Sequence, residues 1–244
     1  MQNPLRNIIH IVKQMGLDIL LPSSCAGCGR QKEAFCASCR EASYKYGAGC
    51  LYCGLRNQTG LLCPKCRRIK NLSNVLWAGR YFGPLKEAIG QLKYKRRTEL
   101  AAPLGGMLYK KFLEIHPDYK KERFIIIPLP LSYEKEKARG FNQAELLAKE
   151  FSGISRISLL THSLLKIKET PAQVEVKEKD KRIKNLEGAF LADPKKLMAY
   201  GVQHKAVILI DDVATTGATL EHASGALAQA GAQKIIGLVV AHGG

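Results

Sequence analysis

No stretch of this 244-residue chain approaches the roughly 18 to 20 uninterrupted apolar residues that a membrane-spanning helix needs. The first residues also lack a small-residue cleavage site after their apolar positions, so no secretory leader is read there. A cytoplasmic location is the expectation. Cysteine is missing beyond Cys66: all eight cysteines fall in the first third of the chain, in four C-x2-C pairs. Disulfide frameworks usually link distant strands of secreted proteins, so this clustering suits a metal far better than crosslinks. Acidic residues are scarce, 21 against 38 basic ones, which leaves a net charge of +17. A surface that basic at neutral pH attracts polyanions.

What is present divides into three parts. From Leu5 to Leu20 the residues Leu5, Ile8, Ile9, Val12, Ile19 and Leu20 recur at helical spacing, with Arg6, His10, Lys13 and Gln14 between them. Residues 1–21 are therefore expected to form an amphipathic helix, which either packs on the protein or lies on an anionic membrane as a peripheral contact. Residues 22–70 are rich in Cys, Gly and Arg and poor in apolar runs, so metal is expected to do the work of a core. From residue 71 to 244 strands and helices alternate. The clearest strand runs are 75–82, 124–129, 206–210 and 235–240, with helical segments after Pro84, at 143–151 and at 219–230. The later runs are continuously apolar, as in strands buried on both faces, which predicts an α/β domain with a mainly parallel sheet flanked by helices. A charged segment at about 164–190 reads as a flap, with Lys166, Lys168, Lys177, Lys179, Lys181, Arg182 and Lys184 set among acids.

The cysteines are spaced C-x2-C-x7-C-x2-C and then, after ten residues, C-x2-C-x9-C-x2-C. The simplest solution is two structural Zn²⁺ ions in tetrahedral sulfur sites, one on Cys25, Cys28, Cys36 and Cys39 and one on Cys50, Cys53, Cys63 and Cys66. An interleaved arrangement, with the first and third pairs sharing a metal, also satisfies the spacing. Gly29 and Gly54 each follow the second cysteine of a pair, where a positive φ lets backbone N–H groups point at sulfur.

The most informative stretch is Val207 to Thr219, VILIDDVATTGAT. It reads as a strand that ends in a binding loop. Asp211 and Asp212 can accept hydrogen bonds from vicinal ribose hydroxyls, while Val213, Ala214, Thr215, Thr216, Gly217, Ala218 and Thr219 curl around a phosphate at a helix N-terminus. Gly217 allows a close approach, and the site needs no lysine.

This stretch resembles the signature of type I phosphoribosyltransferases. Further segments narrow the resemblance to the ComF family: LDILLPSSCAGCG at 17–29, LKYKRR at 92–97, IIPLPLSYEKEKARGFNQAELLA at 126–148 and KRIKNLEGAF at 181–190. The resemblance implies a double zinc ribbon fused to a phosphoribosyltransferase-like domain, with a role in DNA uptake and natural transformation. It implies binding of phosphoribosyl pyrophosphate with Mg²⁺, with Asp211 and Asp212 on the ribose and residues 215–219 on the 5-phosphate. The loop of Leu129, Pro130 and Leu131 would face the pyrophosphate, although it lacks an early basic residue; Lys93, Arg139 and Asn142 are further candidates. Lys95, Arg96 and Arg97 extend the basic run and Tyr94 is placed to stack on a base, which suits single-stranded DNA. Gln173, Arg182 and Asn185 match family positions in the flap. A DNA-translocation helicase is the implied protein partner. Two functions stay open at this stage: a binding protein, and a transferase moving phosphoribosyl to a nitrogenous acceptor.

Overall fold

The computed structural model describes residues 24–44, 48–50, 52–53, 55–57, 62–68, 71–168 and 188–243. The expected helix at 1–21, Gly54, and the flap positions Gln173, Arg182 and Asn185 lie outside these residues. The cysteine-rich part contributes α1 (Ala37–Ser43), the paired two-residue strands β1 (Ala48–Gly49) and β2 (Arg56–Asn57), and α2 (Pro64–Arg68). The rest alternates: β3 (Asn74–Arg80), α3 (Gly83–Tyr94), α4 (Ala101–Ile115), β4 (Phe124–Pro128), α5 (Tyr133–Arg139), α6 (Gln143–Ser155), β5 (Leu164–Lys166), β6 (Phe190–Ala192), α7 (Pro194–Ala199), β7 (Ala206–Ala214), α8 (Ala218–Gln229) and β8 (Lys234–His242).

The apolar runs become a four-stranded sheet in the order β3-β8-β7-β4, and every neighbouring pair is parallel. All five residues of β4 are buried, as are Ile235 to Ala241 in β8, because helices cover both faces. On one face Leu85, Ile89 and Leu92 of α3, Leu108 and Phe112 of α4, and Phe151 of α6 pack against Ile126, Ile208 and Ile210. Gly105 lets α4 and α6 approach, since a Cβ there would stand 2.6 Å from Glu150 Cβ. On the other face Leu220, Ala223 and Leu227 of α8, with Leu164 and Phe190, cover Val207 and Leu209. Strands β5 and β6 pair antiparallel and form the base of the expected flap.

The cysteine-rich part does not stand alone on its metal, as expected from its composition; it also shares the core of the α/β domain. Cys25, Ala26, Phe35 and Tyr44 are buried with Leu85 and Ala88 on the first face, whereas Leu62, Cys63 and Cys66 are buried with Leu72 and Val75 on the second. The two halves thus straddle β3, the edge strand. Tyr44 forms an antiparallel bridge to Gly79, which covers part of that edge. Any Cβ at Gly79 would collide with the Ser43 carbonyl oxygen, so glycine is required for the close approach. The Tyr44 hydroxyl donates to Glu114 Oε1 at 2.6 Å, and Lys111 Nζ donates to Glu114 Oε2 at 2.8 Å. On the opposite side the Tyr52 hydroxyl donates to Glu221 Oε2 at 2.9 Å. Among the described residues no helix is long and apolar enough to cross a membrane.

Candidate functional site

The eight cysteines form two clusters, Cys25, Cys28, Cys36 and Cys39, and Cys50, Cys53, Cys63 and Cys66, each with its sulfurs within 4.8 Å of one another. The structure therefore makes the sequential arrangement and not the interleaved one. None of the eight is in a disulfide. Tetrahedral ligands at a Zn–S distance of ~2.3 Å stand about 3.8 Å apart. The Cys28–Cys36 and Cys53–Cys63 separations of 3.7 and 3.6 Å match that edge. Backbone N–H groups of Gly27 and Cys36 point at Cys25 Sγ, and that of Cys66 at Cys63 Sγ, as thiolates held on a metal require. Two structural zinc sites fit these residues.

The second site lies at the carboxyl ends of the parallel strands. β7 does not stop at Ile210, where the apolar run ends; it continues to Ala214 because Asp211 and Val213 still pair with Val239 and Ala241 of β8. The two acids are thus strand residues, and the period of two sends them to opposite faces. Asp212 follows Ile208 and Ile210 towards α3, where Lys93 Nζ meets its Oδ1 at 2.8 Å. The Lys93 side chain is 15% exposed and that of Asp212 4%. Burial works against the Lys93 charge, but the Asp212 carboxylate, its hydrogen bond and nearby Asp211 outweigh it and hold the ammonium above the usual lysine value. Asp212 Oδ2 is buried with no hydrogen-bond partner among the described residues. Asp211 is pushed up to about 8, first by burial and then by the neighbouring Asp212 charge, with Lys93 and Lys166 opposing.

Thr215, Thr216 and Gly217 make the turn from β7 into α8. Gly217 sits at φ +75° as the residue preceding the helix, and Ala218 N donates to Thr216 Oγ1 at 3.4 Å. Thr219 lies in the first helical turn. The end of β8 braces the turn: Gly243 N donates to the Ala214 carbonyl at 2.9 Å, and His242 Nε2 lies 3.2 Å from the Thr215 carbonyl. A carbonyl can only accept, so this His242 carries its proton on Nε2. Burial lowers its pKa, with the Thr215 carbonyl opposing.

The facing wall is the loop after β4. Leu129 N extends the ladder to the Ile210 carbonyl at 2.8 Å, while the Leu129 carbonyl accepts from Asn142 Nδ2 at 3.0 Å. Asn142 Oδ1 accepts from Ala144 N at 2.9 Å and caps α6. Asn142 therefore positions the loop with both of its polar atoms. Pro130 and Leu131 are half-buried, and the Oγ of buried Ser132 has no partner among the described residues. Arg139 donates to Gln143 Oε1 at 2.8 Å and lies 5.4 Å over the Tyr94 ring, which joins the end of α3 to α5 above the strand ends.

The double zinc ribbon domain family matches residues 16–68. Over most of its length the chain is similar to Competence protein ComFC of Bacillus subtilis, 32% identical over 208 residues, which are 82% of this chain and 80% of that protein. It is similar to Competence protein F of Haemophilus influenzae, 30% identical over 234 residues, 94% of this chain and 91% of that protein. The chain belongs to the ComF family. A more distant ComF relative is the DNA utilization protein YhgH of Escherichia coli, 26% identical over 209 residues, 82% of this chain and 86% of that protein.

Several residues of this ComF site carried no usable signal in the sequence. Lys93 was a candidate for the ligand, but its pairing with Asp212, 119 positions away, was not foreseen. His242 and Ser132 were not singled out. The one hint for His242 is register: it pairs with Ala214, the last residue of β7.

Proposed function

We propose that this ComF-family protein acts in the cytoplasm in the uptake or use of DNA, binding phosphoribosyl pyrophosphate at Asp211–Thr219 and single-stranded DNA across the basic rim of the same site. The observation that carries the ligand reading is Asp212: a buried carboxylate at a strand end, paired through Oδ1 with Lys93 and without a partner at Oδ2 among the described residues, beside a small-residue turn into a helix. The unpartnered oxygen suits a ribose hydroxyl, and the turn suits a phosphate at the N-terminus of α8. The Leu129–Leu131 loop, with Arg139, faces the remaining part of such a ligand. Asp211 and Asp212 would lie near Mg²⁺ carried by the pyrophosphate, which would supply charge neutralisation for the phosphate oxygens.

Support for the DNA reading comes from exposed aromatics around the strand ends: Phe82 is 80% exposed, Tyr94 74% and Tyr133 75%. Lys95, Arg96, Lys135 and Lys137 lie beside them, giving bases a stacking surface and phosphates a counter-charge. The names of the relatives, two competence proteins and a DNA utilization protein, support the cellular role. A DNA-translocation helicase and a peripheral seat on the membrane belong to the same proposal.

Calorimetric titration of zinc-loaded protein with phosphoribosyl pyrophosphate and Mg²⁺ tests the pocket. Binding by wild type and its loss in an Asp211→Asn, Asp212→Asn double variant is expected; no binding by folded wild type refutes it. For DNA, affinity in a gel shift should fall steeply with salt, and a salt-independent affinity contradicts contact through phosphates. A second reading, transfer of phosphoribosyl to a nitrogenous acceptor, is favoured by the paired acids at the ribose position. Pyrophosphate release no faster than that of an Asp212→Asn variant, across a panel of acceptors, would count against it.

A further inference from the structure

We propose that Lys93 is the resident cation of the Asp212 carboxylate, so that the ribose 5-phosphate part of a ligand binds here without a divalent ion. The inference rests on the ribose-phosphate reading above. A buried carboxylate beside a phosphate ordinarily needs positive charge next to it. Here that charge is built into the fold. Lys93 occupies the last turn of α3, whose residues Leu85, Ala88, Ile89 and Leu92 are wholly buried.

Hydrogen bonds to the first zinc ribbon fix the end of that helix. Gln91 Nε2 donates to the Ala26 carbonyl at 3.3 Å, Arg97 Nη1 to Gln91 Oε1 at 2.8 Å, and Arg97 Nη2 to the Ser24 carbonyl at 2.8 Å. Arg96, in the left-handed region at φ +54°, turns the chain away directly after Lys93, Tyr94 and Lys95. The ammonium is therefore delivered to Asp212 Oδ1 by a braced helix rather than by a free surface side chain.

A magnesium ion seeks near-octahedral oxygens at ~2.0–2.1 Å. Asp212 Oδ1 already holds Lys93 Nζ at 2.8 Å, so an ion bound at that oxygen would have to displace the lysine, and one bound at Oδ2 would take the oxygen offered to the ribose. Asp212 Oδ2 remains for a ribose hydroxyl. A pyrophosphate brings its own oxygens for the metal, so Mg²⁺ strengthens binding of phosphoribosyl pyrophosphate through that group and leaves ribose 5-phosphate unaffected.

The test is calorimetric titration of zinc-loaded protein with ribose 5-phosphate, in buffer passed over chelating resin before the protein is added, and again with millimolar Mg²⁺. Wild type should bind equally in both, within about twofold, and Lys93→Met should bind at least about tenfold more weakly without metal, a difference that calorimetry resolves. Lys93→Arg should retain binding in metal-free buffer, which separates lost charge from lost fold. A wild-type affinity that collapses without Mg²⁺ overturns the inference, whatever the state of the variants. So does a Lys93→Met protein that binds like wild type in metal-free buffer. If wild type binds ribose 5-phosphate in neither buffer, the ribose-phosphate reading itself fails and the inference falls with it; that result is distinguished by its indifference to Mg²⁺.

Discussion

Lys93→Met isolates the pair on which the site depends. Methionine keeps most of the packing of the lysine stem but removes the charge from a carboxylate that is 4% exposed and has a second oxygen already unpartnered. Breaking a buried ion pair by deleting one partner costs about 3 to 5 kcal/mol, and the opening of the site towards solvent lowers the expectation to about 2 to 4 kcal/mol. For a chain of this size that corresponds to a fall in Tm of roughly 5 to 12 °C. The sign with pH follows from Lys93 being held above its ordinary value. A lysine whose pKa is raised on folding contributes fully below its unfolded value of about 10.4 and loses the contribution only as pH rises through the folded value, so the deficit of Lys93→Met should be at its full size at pH 7 to 8. Denaturant unfolding at fixed excess zinc, on wild type, Lys93→Met, Asp212→Asn and the double variant, measures the coupling. The double variant should recover most of the Lys93→Met loss. A single-variant loss below about 0.5 kcal/mol with no coupling in the double would show that the pair is a surface contact of little weight.

Other perturbations reach different parts of the structure. Gly79→Ala drives a methyl into the Ser43 carbonyl and should destabilise by about 1 to 3 kcal/mol or more, with the ribbon loosened from β3; an unchanged denaturation midpoint would show that the ribbon does not dock there. Removing zinc with a chelator should lower the unfolding temperature of the whole chain, because Cys25, Phe35 and Cys39 are buried among the residues of the α/β core. An α/β transition left in place after chelation would contradict that. Asp211, pushed up to about 8, holds its proton in the native state where the unfolded chain has lost it, so stability should fall as pH rises from 6 to 8. Asp211→Asn should flatten this slope by about 1 to 2 kcal/mol across the interval, and an identical slope in the variant would refute the assignment.

Much of the fold was legible because its signals are local. Runs such as Phe124 to Ile127 and Val207 to Ile210 are apolar at every position, which only a sheet covered on both faces accommodates, and the cysteine spacing alone suggests two tetrahedral sites. The features that escaped are set by tertiary contact. The strand end at Ile210 follows the loss of apolar residues, yet β8 supplies partners for Asp211, Val213 and Ala214 and carries the acids into the sheet. The ribbons read as a self-contained module because their own residues are poor in apolar side chains, but Phe35 and Leu62 find their burial against the α/β core. Lys93 was a ligand candidate, but nothing in LKYKRR says that it faces Asp212; the buried stripe Leu85, Ala88, Ile89 and Leu92 is what turns it there.

The most direct test of the phosphoribosyl site is amide hydrogen exchange on zinc-loaded protein with and without saturating phosphoribosyl pyrophosphate and Mg²⁺. Slowed exchange concentrated at residues 211–219, with a smaller effect at 129–132, is the expected result. No change there, or protection confined to the zinc ribbons, would contradict the placement of the ligand at the ends of β7 and β4.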